Sequence, residues 1–365
     1  MHLLSAQAGS IQQEGEAIDL GQSPAPLVFA SAADSELALL AGAADRAGAT
    51  DLRLASILRL SHNMSVDLWL EKTVRQARLV VVRLLGGPSY WPYGIDELTA
   101  LAASGGPRVA FLPGDANPDP ILRDRSTIAP EEWSALHALF TAGGPENADA
   151  ILALMRGDAK RGPRPFPRFG LWYPDHGVVS ELPSGEGPHI PLLFYRAALE
   201  GGGTATLEAL IAEIEAQGMR PIPILVSSLK EQPCVRFVRN VFEQHPPAAI
   251  LNLTGFALGL DGLDEKQNPF ATTDAPVIQL VQGGRPESAW RDDPQGLTAK
   301  DLAMQVVLPE LDGRIGALLV GHKEEAVWHA RTECPLAAYA PDPEGIRQAV
   351  TLAKNWALLR ATPRD

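Results

Sequence analysis

Cysteine is scarce. Cys234 and Cys334 are the only two in 365 residues, and neither has a partner at zinc-ligand spacing. A disulfide scaffold and a cysteine zinc site are both excluded as expectations, and reduced thiols in a cytoplasmic protein fit the count. Positive charge is also short, with 31 Lys and Arg against 44 Asp and Glu, a formal net charge of −13. No basic run is longer than a few residues. Nucleic acid and anionic membrane surfaces, which repel net-negative proteins, are therefore not expected as partners. The N-terminus shows no basic leader followed by an apolar core, and no apolar run approaches the roughly 20 residues that span a bilayer.

The motifs of several common chemistries are missing too. There is no G-x-G-x-x-G, no G-x-x-x-x-G-K-[ST], no H-E-x-x-H and no H-x-H. The eight histidines are scattered, so no metal ligand set is expected. Asp175, His176 and Ser180 suggest a triad, but the nucleophile elbow G-x-S-x-G is absent and a hydrolase is not expected.

What remains is an ordinary globular composition, 45% hydrophobic and 21% charged, in a chain long enough for more than one domain. Short apolar runs alternate with helical patterns. Pro26–Ser31, Leu52–Leu58, Leu79–Val82 and Arg108–Leu112 read as strands. Between and after them, Ser35–Ala44, Ser65–Gln76, Gly94–Ala103, Ala129–Phe140 and Asn147–Arg156 read as helices. The stretch 158–168, rich in proline, glycine and basic residues, reads as a linker. Strands at Phe169–Tyr173, Pro191–Tyr195, Pro221–Val226, Ala248–Leu253 and Ala275–Leu280 then alternate with helices again. A last helix runs over Asp342–Leu359, with Asp342 as cap and Pro343 at its first position. The expected fold class is α/β, two doubly wound parallel-sheet units of flavodoxin-like or Rossmann-like type in tandem. The expected domains are 1–157 and 169–341, followed by a terminal segment 342–365.

Candidate binding residues follow from the strand ends. In a parallel sheet the carboxyl ends of strands share one edge. Tyr195 and Arg196, Ser227, Ser228 and Lys230, Asn252, Thr254 and Gly255, and Gln282 each lie at or just after such an end. Hydroxyls, amides and two cations suit carboxylate or amide groups, although the same residue types are favoured in caps and turns. The corner Leu85-Gly86-Gly87-Pro88 lacks the convergent N–H groups of a phosphate loop, since Pro88 removes one donor. Its neighbours Tyr90, Trp91 and Tyr93 read first as residues that pack against a neighbouring domain, and second as a surface for a flat ligand. No catalytic residue is identified.

Several phrases resemble the cobaltochelatase large-subunit (CobN) family along the whole chain. They are MHLLSAQAGSI, SHNMSVDLWLEKT, LVVVRLLGGPSYWPYGIDEL, FLPGD, PLLFYRAAL, PILVSSLKE, ILNLTGFAL and DPQGLTAKDLAMQVVLPELDGR. The resemblance implies a part in cobalamin biosynthesis, in which cobalt is inserted into hydrogenobyrinic acid a,c-diamide. It also implies partners: further domains of the large subunit, and two smaller subunits of which one is an AAA+ ATPase that binds and hydrolyses ATP. The related magnesium chelatase large subunit, with protoporphyrin IX, is the alternative within the resemblance. A non-enzymatic, two-lobed small-ligand binding module is the alternative outside it. Family members are much longer, so the chain is expected to be an N-terminal portion, contributing tetrapyrrole recognition or subunit docking and inactive alone.

Overall fold

The computed structural model describes residues 16–158, 162–255, 258, 268–292, 294 and 296–362. The opening phrase Met1–Ile11, Phe256 and Ala257 of ILNLTGFAL, and Asp293 and Gln295 of DPQGLTAKDLAMQVVLPELDGR lie outside the described residues. The chain divides into two units. One comprises 1–166 and 326–336, the other 167–325 and 337–365.

In the first unit, strands β1 (Leu27–Ser31), β2 (Leu52–Ser56), β3 (Leu79–Leu84) and β4 (Arg108–Pro113) form an all-parallel sheet in the order β2-β1-β3-β4. β1 and β3 are buried at every position, as strands covered on both faces must be. One covering layer is α1 (Asp34–Arg46), α5 (Pro130–Ala142) and α6 (Pro145–Arg156). The other is α2 (Asn63–Trp69) and α3 (Pro92–Ala103), and the short α4 (Pro120–Asp124) follows β4.

The second unit begins with β5 (Phe169–Tyr173) and β6 (Gly177–Val179). It continues through β7 (His189–Tyr195), α7 (Ala205–Ala216), β8 (Arg220–Val226), α8 (Gln232–Gln244), β9 (Ile250–Asn252) and β10 (Val277–Gly283). The short helices α9 (Glu287–Asp292), α10 (Ala299–Leu302) and α11 (Leu308–Leu311) then lead to β11 (Ile315–Lys323). A π-turn over Ala303–Val307 joins α10 to α11. β8-β7-β9-β10-β11 are parallel, the flavodoxin-like order, while β5 and β6 run antiparallel at one edge.

After β11 the chain forms an antiparallel hairpin, β12 (Val327–His329) and β13 (Cys334–Leu336), that belongs to the first unit. The contiguous domain expected over 169–341 is interrupted here. The reason is chemical. Glu333 accepts hydrogen bonds from Ser23 N (2.6 Å) and Oγ (2.7 Å) and pairs with Arg53 (3.0 Å). His329 reaches Asp45 at 3.2 Å, and Cys334 joins the first core. Strand β14 (Tyr339–Pro341) then pairs antiparallel with β11, and α12 (Pro343–Ala361) closes the chain.

The expected linker 158–168 also differs from the structure. Its Arg164 backbone is held from both sides by the buried Asn147 carboxamide (2.8 Å each), so the division falls after Phe166. On α12, Val350 is buried, Leu352 and Trp356 pack against a core cluster of the second unit, and Leu359 is exposed.

Candidate functional site

In an open parallel sheet, the crevice for a ligand lies at the carboxyl ends of strands, where the chain order reverses. In the first unit that point falls between β1 and β3, and the protein's own side chains fill it. Arg83 of β3 is 6% exposed and is paired with Glu36 of α1, which also accepts from Ser31 Oγ (2.7 Å). The same guanidinium donates to Pro113 O (3.2 Å) and Gly114 O (2.9 Å), and it lies 4.9 Å from the Phe140 ring. All three guanidinium nitrogens of Arg83 are thus bonded within the unit.

The corresponding point of the second unit lies between β7 and β9. β9 stays attached to β7 through Leu253 N, which donates to Leu193 O (2.8 Å). The backbone then turns away, and a buried polar cluster fixes the turn. Thr254 O accepts from Asn252 Nδ2 (3.0 Å), Gln279 Nε2 (3.1 Å) and Arg314 Nη1 (3.0 Å). Gly255 O accepts from the Tyr195 hydroxyl (3.0 Å). Asn252 Oδ1 holds Thr254 Oγ1 (2.8 Å), and Gln279 Oε1 takes a further bond from Asn252 (2.8 Å).

Arg314 is paired with Asp312 at 3.1 Å, and both side chains are essentially inaccessible. Burial pushes the Arg314 guanidinium below its ordinary value, against the opposing pull of Asp312. Burial likewise raises the Tyr195 phenol, so at neutral pH its hydroxyl stays a donor.

The other residues proposed from sequence fall into separate arrangements. Arg196 pairs with Glu200 at 3.4 Å. Ser227 Oγ donates to Glu231 (3.0 Å), Ser228 Oγ accepts from Lys230 N (3.1 Å), and Lys230 is exposed. The Gln282 backbone is clamped on both sides by the Gln305 carboxamide, with Gln282 N donating at 3.0 Å and its O accepting at 2.9 Å. Next to it, Gly284 N donates to Asp301 (3.0 Å).

Tyr90 and Trp91 belong to the first unit. Trp91 is buried, donates to Leu60 O (3.1 Å) and packs 6.2 Å from Trp69. A Cβ on Gly94 would sit 2.2 Å from the Trp91 ring, so glycine is required to seat it. Tyr90 is half-buried, and its phenol is raised by desolvation.

Sequence reasoning missed Arg314, Asp312, Gln305 and Asp301, all within the phrase DPQGLTAKDLAMQVVLPELDGR that carried the family resemblance. Local pattern presents Asp312-Gly313-Arg314 as a turn, and its partners lie up to 60 positions away. His322 was also missed. It is 4% exposed, 5.2 Å from the Trp290 ring and 3.4 Å from Asp342 Oδ2, with neither ring nitrogen hydrogen-bonded among the described residues.

Fold and edge together define an α/β protein whose second unit presents a preorganised turn where ligands of such sheets bind. Comparison with known proteins narrows this. Residues 137–365 match the family model described as CobN/Magnesium Chelatase, and the chain belongs to that family. It is 42% identical over 385 residues to the aerobic cobaltochelatase subunit CobN of Sinorhizobium sp., covering 100% of this chain and 30% of that protein. A magnesium-chelatase subunit of Rhodobacter capsulatus is 27% identical over 265 residues, 62% of this chain and 21% of that protein. The catalytic subunit of cobaltochelatase from Mycobacterium tuberculosis superposes with a TM-score of 0.60 at 27% identity, over 93% of this chain and 28% of that one. The chain thus spans about 30% of the length of the CobN relatives it matches.

Proposed function

We propose that this chain is the part of a cobaltochelatase large subunit that recognises the tetrapyrrole, and that it does not insert metal by itself. The observation that carries the reading is its 42% identity, along its entire length, to a CobN subunit, against 27% to a magnesium-chelatase subunit. In this reading the macrocycle is hydrogenobyrinic acid a,c-diamide, cobalt is the substrate ion, and ATP is hydrolysed by an AAA+ partner subunit.

Physical chemistry separates recognition from insertion. Insertion requires removal of water from the ion and loss of pyrrole protons to a base. Among the described residues no group of three or more His, Cys, Asp and Glu is placed to hold an ion, so none is assigned that role. Recognition needs fixed polar groups on a rigid frame, and the Thr254–Gly255 turn, held by Asn252, Gln279, Arg314 and Tyr195, supports the reading with such a frame.

Titration of the protein with the tetrapyrrole, followed by macrocycle absorbance and tryptophan quenching, tests the reading. A saturable change at micromolar ligand is expected. No change at high micromolar ligand would remove the recognition role.

A further inference from the structure

The turn at the second unit's switch point has a consequence for the group on its other side. A trans peptide is planar, and its C=O and N–H point in opposite directions. Three donors draw Thr254 O into the buried cluster, so the N–H of Gly255 is directed away from that cluster. This N–H has no hydrogen-bond partner among the described residues. The next carbonyl, Gly255 O, belongs to the following peptide and is drawn in by Tyr195, which restrains the Gly255 Cα on its other side.

The electrostatics favour an anion at this N–H. One of the donors on Thr254 O is a guanidinium with no solvent access, and hydrogen bonds in series polarise the amide that they share. A donor loaded in this way suits a charged acceptor better than a neutral one. On the same residue a Cβ would crowd Met304 O at 3.2 Å, so glycine keeps a side chain from standing beside the donor. By contrast, the equivalent point of the first unit is closed by the Arg83–Glu36 pair.

We infer that the Gly255 N–H is a docking point for a carboxylate side chain of the ligand, with Arg314 and Tyr195 as positioning residues that act through the Thr254–Gly255 peptide. This rests on the tetrapyrrole reading above and specifies which part of the macrocycle meets the protein here.

Hydrogenobyrinic acid a,c-diamide with its propionate groups free, compared with the same macrocycle amidated, provides the probe. In protein labelled with 15N-glycine, the Gly255 amide resonance should shift with the propionate form, and amidation should weaken affinity about tenfold, the worth of one charge-assisted hydrogen bond. Gly255→Pro deletes the donor and should weaken binding by a similar factor. Tyr195→Phe should move the Gly255 amide resonance of the free protein and weaken binding severalfold, with little change in melting temperature. Equal affinity for the two macrocycles, or an unmoved Gly255 resonance at saturation, overturns this inference and leaves the tetrapyrrole reading standing. Failure of both macrocycles to bind overturns the two together. If Gly255→Pro does not fold, the amidation comparison and Tyr195→Phe decide the matter.

Discussion

Arg83 carries its charge in a site that is 6% exposed, so its partners matter more than its Coulomb energy. Removing one member of a buried pair strands the other without water or counter-charge. Arg83→Ala should therefore lower unfolding free energy by about 3–5 kcal/mol, measured by urea denaturation. A loss under about 1 kcal/mol, the range of exposed pairs, would show that Glu36 finds solvent when its partner leaves. Nothing local in the sequence announces this pair, because Arg83 and Glu36 are 47 positions apart and each sits in an otherwise ordinary run. Trp91 is the opposite case. Its strand-to-helix turn pointed to packing against a neighbouring domain, whereas the structure seats it in the core of its own unit.

At the scale of elements, the hairpin β12–β13 shows how a few polar residues redirect a segment. Glu333 has φ +49°, a conformation that side chains other than glycine enter at some cost. Its carboxylate bonds to Ser23 and Arg53 offset that cost. Burial alone would raise the Glu333 carboxyl, but the bonds from Ser23 and the charge of Arg53 outweigh it, and the net shift is downward. A carboxyl depressed in the folded state stabilises the protein above its unfolded value, near 4.5, and that contribution is lost as pH falls through the lower folded value. Thermal melts from pH 7 to pH 3 should therefore show a shallower acid loss for Glu333→Gln than for the unsubstituted protein. Identical slopes would mean that the hairpin is not acid-linked.

The parallel strands were legible because burial on both faces leaves near-continuous apolar runs, as in Leu79–Val82. β11 was not, although it reads IGALLVGHK. Its two glycines and the irregular register against β10, with Ala317 at φ +58°, break the pattern that would reveal it. Of the candidate edge, Tyr195, Asn252, Thr254 and Gly255 were legible as strand-end residues. Arg314 and Gln305, which hold such turns in place, were not, since their partners are set by tertiary contact alone.

For the molecule as a whole, the two cysteines test whether both cores are closed to solvent. Cys234 lies in the second core and Cys334 in the first, both within 1% exposure. Desolvation pushes the Cys334 thiol up to about 12, and a thiol rather than thiolate reacts slowly. Neither cysteine should react with a thiol reagent in native buffer, and both should react after addition of denaturant. Rapid labelling of one without denaturant would place a local opening in that unit.

The hairpin also sets an order of events during synthesis. Gln22 and Ser23 find their partner 311 and 310 positions later, in Glu333, so the first unit emerges from the ribosome well before it is complete. Its sheet edge at β2 must wait, with Leu54 N free, until Thr332 O arrives to accept it. By then nearly all of the second unit has been translated. The unit begun first is therefore completed only after most of the second has been made, and a nascent chain of this design carries an open edge until Thr332 is added.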